Sequence, residues 1–162
     1  MRALGAHFSP RAMAAVIAAN LAQDSLQNLL GHPEIHFDNC AFDAARARIA
    51  TLRDRVAASS DPAQQWRAFG ALTHTAQDFY SHSNYVALWV ERHGGYERTR
   101  PDEIDGLDET LLSCPELRTA YFRFWWDVLY HLPGRGIFRR LVPPRPDSHE
   151  AMHLDGPERG PA

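Results

Sequence analysis

Paired cap-and-proline signals, followed by apolar residues at helical spacing, limit this chain to a helical fold. Ser9-Pro10 and Asp61-Pro62 each combine a favourable helix N-cap with proline, which fits the first helical position. An apolar stripe then recurs every three or four residues, as between Phe42 and Val56. No stretch shows the sustained period-two alternation of β-branched residues that predicts a strand. We therefore predict an all-α fold, a helical bundle of four main helices.

The same signals predict where these helices begin and end. The first covers residues 10–30 and the second begins near Phe42. The third begins at Pro62 and continues towards Arg92, with a bend near residues 81–84. The fourth begins at Pro115 and ends before Pro133-Gly134.

Two regions are predicted to lack helix. Residues 95–112 are polar, acidic and rich in turn formers, which indicates a long loop. Prolines interrupt the tail, residues 143–162, which we expect to be extended and irregular. Because the chain has 162 residues, we predict a single domain, residues 1–162.

Composition excludes several classes of function. All 17 basic residues are arginine, so chemistry that requires a lysine, such as a Schiff base or a phosphate-binding P-loop, is absent. The net charge of −3 provides no global positive field for gripping nucleic acid. Cys40 and Cys114 are too few for a disulfide scaffold, which leaves two buried thiols or one bridge.

No apolar run approaches the ~20 residues needed to span a bilayer. The apolar stretch from Ala12 to Ala22 is interpreted as a capped amphipathic helix rather than a signal peptide. These observations predict a soluble chain, cytoplasmic by default.

Three polar residues of the third helix form the strongest chemical signal. His74, Asp78 and His82 are spaced at i, i+4 and i+8, so their side chains project from one side of the helix. Two imidazoles and a carboxylate suit zinc. Gly70, one turn earlier, lets another backbone approach that side. The competing interpretation is a solvated polar face.

Acidic and histidine residues nearer the N-terminus supply further candidates. Asp24 lies on the apolar face of the first helix, where a metal ion or an arginine must neutralise it. His36 lies in the connection between the first two helices and is expected to point into the bundle. Asp38 is either a catalytic carboxylate or a simple helix cap.

The two ends of the chain hold the remaining candidates. His7 precedes the first helix and is either a ligand or an ordinary surface histidine. His149 and His153 lie four apart in the tail, as polar ligands or as part of a frayed terminus.

The run HTAQDFYSHSN, residues 74–84, closely resembles a segment of heterokaryon-incompatibility C-like proteins. Those proteins resemble zinc-dependent phospholipases C of bacteria and single-strand-specific nucleases of fungi. The resemblance implies an all-helical fold with a multinuclear zinc site that cleaves phosphate esters, and it favours a bacterial source.

The resemblance also implies a set of metal ligands in chain order. Two departures from the family pattern are a Met at position 1 in place of Trp, and three residues instead of five between Asp78 and His82. His153 stands near the position of the final carboxylate. The implied ligands are His7, Asp24, His36, His74, Asp78, His82, His149 and His153.

On this basis we expect a zinc-dependent phosphoester hydrolase in which a metal-bound hydroxide attacks phosphorus. Two or three zinc ions are expected, with Asp78 bridging two of them and Asp24 or Asp38 as general base. The expected substrates are a phosphate-ester small molecule, a lipid head group or single-stranded nucleic acid; no protein partner is predicted. The alternative is a non-catalytic helical binding or structural domain whose metal site stabilises the fold.

Overall fold

The computed structural model describes residues 7–104, 108–123 and 145–152. Those residues form helices joined by turns and short 3-10 segments, and no strand occurs among them, which confirms the predicted all-α fold. The helices are α1 (Pro10–Leu21), α2 (Leu26–Leu29), α3 (Pro33–His36), α4 (Phe42–Ala58), α5 (Pro62–His82), α6 (Tyr85–Arg92), α7 (Glu109–Leu112) and α8 (His149–Met152).

The two cap-and-proline signals locate helix starts correctly. The backbone N–H of Ala12 donates to Ser9 Oγ at 3.2 Å, at the start of α1. The backbone N–H of Ala63 donates to Asp61 Oδ1 at 2.9 Å, at the start of α5. Each cap satisfies a backbone donor that the helix itself leaves unpaired.

The first predicted helix is too long, because it breaks after Leu21. A 3-10 turn, Ala22–Asp24, follows α1, and Ser25 is extended (φ −63°, ψ 144°) before α2 begins. Two of the apolar residues in the predicted helix, on either side of this break, are not buried. Leu21 is 63% exposed and Leu26 is 67% exposed. Packing therefore supplies little free energy to continue one straight helix through this segment.

The third predicted helix divides where a bend was expected. Helix α5 ends at His82, and α6 begins at Tyr85 after the two residues Ser83 and Asn84.

The helix predicted from Pro115 does not form over residues 115–123, which are a turn followed by non-helical chain with two isolated bridges. The Asn84 side chain donates to the carbonyl of Glu116 at 2.9 Å and accepts from the backbone N–H of Arg118 at 2.8 Å. Thr119 forms an isolated antiparallel bridge with Ser83. These long-range hydrogen bonds take up backbone groups that a helix would use. Residues 124–133 of the prediction lie outside the described residues.

The predicted loop and tail contain short helical pieces. Two 3-10 turns, Tyr96–Arg98 and Pro101–Glu103, and helix α7 occur within residues 95–112. The tail contains α8, and residues 143–144 and 153–162 lie outside the described residues.

The chain divides into two compact units. The first comprises Met1–Phe37 and Ala41–Asp78, and the second comprises Asp38–Cys40 and Phe79–Ala162. Helix α5 contributes to the first unit up to Asp78 and to the second from Phe79 onwards. The single domain stays a prediction. None of the described helices is long and apolar enough to cross a membrane.

Each unit has its own buried apolar side chains. Those of the first unit include Val16, Ile35, Phe37, Ala45 and Leu52. Those of the second include Tyr85, Trp89, Val90, Leu111 and Ala120.

Candidate metal centre

A close crossing of α1 and α5 brings together the segments of the first unit that carry the candidate ligands. A Cβ atom at Gly70 would lie 2.3 Å from the carbonyl oxygen of Val16 and 2.8 Å from the Cβ of Ala19. Only glycine allows this approach without a shift of the backbone. The predicted role of Gly70 is therefore confirmed, and the C-terminal end of α1 is held against α5.

The break after α1 presents Asp24 to the neighbouring histidine. Asp24 ends the 3-10 turn, and its Oδ1 lies 3.6 Å from His74 Nε2. The Asp24 side chain is 57% exposed, whereas the His74 side chain is 6% exposed. A helix that continued straight, as the sequence predicted, would not contain this turn.

His36 comes to the same place from the end of α3. The helix ends at His36, and its C-cap, Phe37, has a φ of 55°, which is in the left-handed region. Asn39 and Cys40 also have positive φ. Three non-glycine residues with positive φ within four positions are uncommon and mark a tightly determined turn. His36 is 2% exposed, and its Nδ1 lies 2.8 Å from Asp78 Oδ2.

Donor atoms of Asp24, His36 and His74 form one cluster, and Asp78 contacts both of its histidines. His74 Nε2 lies 3.0 Å from Asp78 Oδ2 and 3.2 Å from His36 Nδ1. Donor atoms of Asp24, His36 and His74 all lie within 4.8 Å of one another. Tetrahedral zinc with bonds of about 2.0–2.1 Å holds its ligand atoms about 3.3 Å apart, so these separations fit such an ion.

An arginine that sequence reasoning missed braces both sides of this cluster. Arg48 Nη2 donates to Gln23 Oε1 at 2.7 Å, and Arg48 Nε donates to Thr75 Oγ1 at 3.2 Å. Gln23 precedes Asp24 and Thr75 follows His74, so one guanidinium links the neighbours of two candidate ligands. Burial lowers the pKa of Arg48, and the charge of Glu34 opposes that effect. With 17 arginines in the chain, no sequence signal distinguished this one.

The second unit contains two other candidates, Asp38 and His82. Both are buried, and His82 Nδ1 lies 3.6 Å from Asp38 Oδ1. The backbone carbonyl of His82 accepts from the N–H of Ala120 at 2.8 Å.

The remaining candidates are His7 and two histidines of the tail. His7 is exposed and is not part of the three-residue cluster. His149 begins α8, but its side chain is outside the described part of the chain. His153 lies wholly outside the described residues.

Comparison with known proteins identifies a family. The sequence model of the VWA7 N-terminal domain family matches residues 3–101. This range includes the four candidate ligands of the first unit, Asp24, His36, His74 and Asp78. The human von Willebrand factor A domain-containing protein 7 is 35% identical over 113 residues, covering 65% of this chain and 13% of the human protein. The mouse protein of the same name is 37% identical over 91 residues, covering 52% of this chain and 10% of the mouse protein.

The chain thus spans about an eighth of the length of the human relative that it matches. No solved structure matches it.

These matches correct the interpretation drawn from residues 74–84. The resemblance to zinc-dependent phospholipases C, nucleases and heterokaryon-incompatibility C-like proteins is wrong as a family assignment, because the matching family and relatives are VWA7 proteins. The predicted phosphoester hydrolase is wrong for the same reason. A short run with ligand spacing identifies a possible metal site and does not by itself identify a family or a reaction.

The expected bacterial source is also wrong on this evidence, since the relatives are mammalian. The family model covers more than half of the 162 residues. The chain therefore belongs to the VWA7 N-terminal domain family.

Proposed function

We propose that this chain is a non-catalytic helical domain whose first unit is stabilised by one divalent metal ion, zinc. The observation that carries the proposal is the clustering of Asp24, His36 and His74 from three separate segments, with Asp78 in contact with both histidines. Asp24 follows α1, His36 ends α3, and His74 and Asp78 lie in α5.

The chemistry of these donors favours zinc over the harder cations. Two imidazole nitrogens and two carboxylate oxygens form a mixed nitrogen and oxygen set of four. Calcium and magnesium prefer six or more oxygen ligands, whereas zinc accepts four ligands of this kind. The proposal therefore assigns one four-coordinate ion to the first unit, fewer than the two or three that the sequence predicts.

Electrostatics also supports a cation at this point. His36, His74 and Asp78 are 2%, 5% and 7% exposed, so little water screens the negative charge among them. Both imidazole nitrogens approach the same carboxylate oxygen and also each other. If each nitrogen donates a proton to Asp78, the two nitrogens face each other at 3.2 Å as two donors. A cation among these atoms interacts favourably with each of them.

The proposed ion stabilises the domain by joining distant parts of the sequence. Residues 24 and 36 are joined to α5 through the metal, so binding of the ion and folding of the unit are coupled. Zinc at a free concentration 100 times its Kd would add about 2.7 kcal/mol to the free energy of unfolding.

The proposal concerns this segment alone. The relatives are named for a von Willebrand factor A domain, and the chain covers 13% of the human one. The substrates expected from the sequence were those of a hydrolase. A metal site that only stabilises the fold requires no substrate.

Metal analysis of protein purified without a histidine tag tests the proposal. We expect about one zinc per chain in the wild type, with a loss of at least half in Asp24→Asn and in His74→Ala. Asp24→Asn is the sharper variant, because it keeps the shape of an exposed side chain and leaves the core unchanged.

His32→Ala is the matched control, since His32 is a half-exposed histidine of the same unit outside the cluster. It should retain the zinc content of the wild type. Equal zinc in wild type, Asp24→Asn and His74→Ala would overturn the proposal, and so would a zinc-free wild type after dialysis against micromolar zinc.

A further inference from the structure

A cavity in the first unit has a charge pattern that the proposed metal site does not use. It lies beside α4 and α5 and has a volume of about 560 Å³. Three of its lining residues are arginines: Arg48, Arg55 and Arg67. This size is typical of cavities that bind small molecules.

The walls of this cavity combine apolar and cationic groups. The buried lining residues are apolar, namely Leu52, Ala68 and Ala71. Arg55 and Arg67 are exposed. A hydrogen bond from guanidinium to an anion is strengthened where apolar walls reduce the screening by water.

No carboxylate is among the residues that line the cavity in the described structure. The acidic residue whose charge reaches Arg48 is Glu34, which lies outside the lining and 2.9 Å from His32 Nδ1. Burial lowers the pKa of Arg48, and the positive charge of Arg55 lowers it further. The positive charges of Arg48 and Arg55 thus repel each other, and anionic groups bound beside them would offset that repulsion.

We propose that this cavity binds an extended small-molecule polyanion, one that carries at least two phosphate or carboxylate groups. Arg48 and Arg55 are seven residues apart in α4, which corresponds to about 10.5 Å along the helix. Arg67 adds a third cation from α5. Such a spread of charge matches two or three anionic groups on one molecule better than a single phosphate. Arg48 is already held by Gln23 and Thr75, so its orientation requires little further ordering.

Calorimetric titration with inorganic triphosphate, orthophosphate and tricarballylate tests the proposal. Triphosphate should bind more tightly than orthophosphate. Arg55→Gln and Arg67→Gln should each weaken triphosphate binding about tenfold or more. Both residues are exposed, so both variants should keep the wild-type melting temperature. Tighter binding of triphosphate than of tricarballylate would identify a phosphorylated ligand, and the reverse would identify a polycarboxylate; either result supports a polyanion site.

One control separates this site from general charge. Arg53→Gln removes a 73% exposed arginine of the same helix that does not line the cavity, and it should bind triphosphate like the wild type. Equal binding by wild type and Arg55→Gln, or weaker binding in Arg53→Gln, would overturn the proposal. If orthophosphate bound as tightly as triphosphate, the inference that the ligand carries several anionic groups would be wrong.

Discussion

At the residue scale, one carboxylate oxygen organises the candidate metal centre. Asp78 Oδ2 lies 2.8 Å from His36 Nδ1 and 3.0 Å from His74 Nε2. His36 and His74 pack edge to face, with ring centroids 5.1 Å apart. The protein itself thus holds the two imidazoles beside Asp78. This preorganisation reduces the free-energy cost of binding a metal ion.

Substitution of Asp78 tests this arrangement without changing its shape. Asp78→Asn keeps an oxygen at the same position but removes the negative charge, so the attraction for a divalent cation falls. We expect zinc affinity to fall at least tenfold, measured by competition with a chromophoric chelator. Asp54→Asn, on the exposed face of α4, is the control and should not change the affinity. Unchanged affinity in Asp78→Asn would remove this carboxylate from the ligand set.

The sequence predicts most members of this cluster, but it does not show which candidates lie outside it. Spacing and resemblance single out Asp24, His36, His74 and Asp78. The structure clusters the first three and places Asp78 against both histidines. His82 satisfies the same helical spacing, yet it belongs to the second unit, where it lies near Asp38. Helical spacing fixes the side of a helix and cannot show which segments pack against each turn.

A second residue-scale feature lies in the other unit, at Asp147. Hydrogen bonds from Arg123 and Arg145 hold the pKa of Asp147 at about 2, below its ordinary value of 3.8. Because the folded pKa is lower than the unfolded one, this carboxylate stabilises the fold above about pH 4. That contribution is lost as the pH falls through about 2.

Removal of this charge should flatten the acid limb of the stability profile. We expect Asp147→Asn to be less dependent on pH than the wild type between about pH 4 and pH 2, as measured by urea unfolding at several pH values. Asp102→Asn is a control at a 71% exposed carboxylate beside Arg100. An unchanged profile in Asp147→Asn would show that the ion pair with Arg123 does not act on stability.

At the scale of elements, the crossing at Gly70 determines how α1 meets α5. A methyl group there would meet the carbonyl oxygen of Val16 at 2.3 Å, which is far inside van der Waals contact. The opposing atom belongs to backbone, so it cannot move aside as a flexible side chain would. The C-terminal end of α1, and the turn that carries Asp24, must shift if this contact is lost.

Gly70→Ala should therefore destabilise the protein although alanine favours a helix. Helix propensity alone would add about 1 kcal/mol to the stability. Overpacking costs about 1–3 kcal/mol, and a clash with backbone belongs at the upper end of that range, so the cost exceeds the gain. A lower melting temperature together with weaker zinc binding is expected, measured by calorimetry and metal titration. A variant as stable as the wild type would contradict the close crossing.

Local signals predicted the elements whose ends depend on local chemistry. The starts of α1 and α5 follow their Ser9 and Asp61 caps, and the break after α5 falls within the predicted bend. The segment after Pro115 was predicted wrongly because Asn84 and Asn39 bind its backbone from far along the chain: Asn39 Oδ1 accepts from the N–H of Phe122 at 3.1 Å. Contacts over such separations leave no trace in a local periodic pattern.

At the scale of the whole molecule, family membership and local chemistry answer different questions. The match to the VWA7 N-terminal domain covers residues 3–101 and replaces the hydrolase interpretation. It leaves the converging ligands to be explained by their own geometry. A stabilising ion accounts for their burial and their close approach without assigning a reaction to them.

The most direct test of this account is zinc-edge X-ray absorption on the zinc-loaded full chain. The account predicts a four-coordinate ion with about two imidazole nitrogens and two oxygens at roughly 2.0–2.1 Å, and a loss of imidazole scattering in His74→Ala. A shell of six oxygens, a sulfur ligand, or a spectrum unchanged in His74→Ala would contradict the proposed centre.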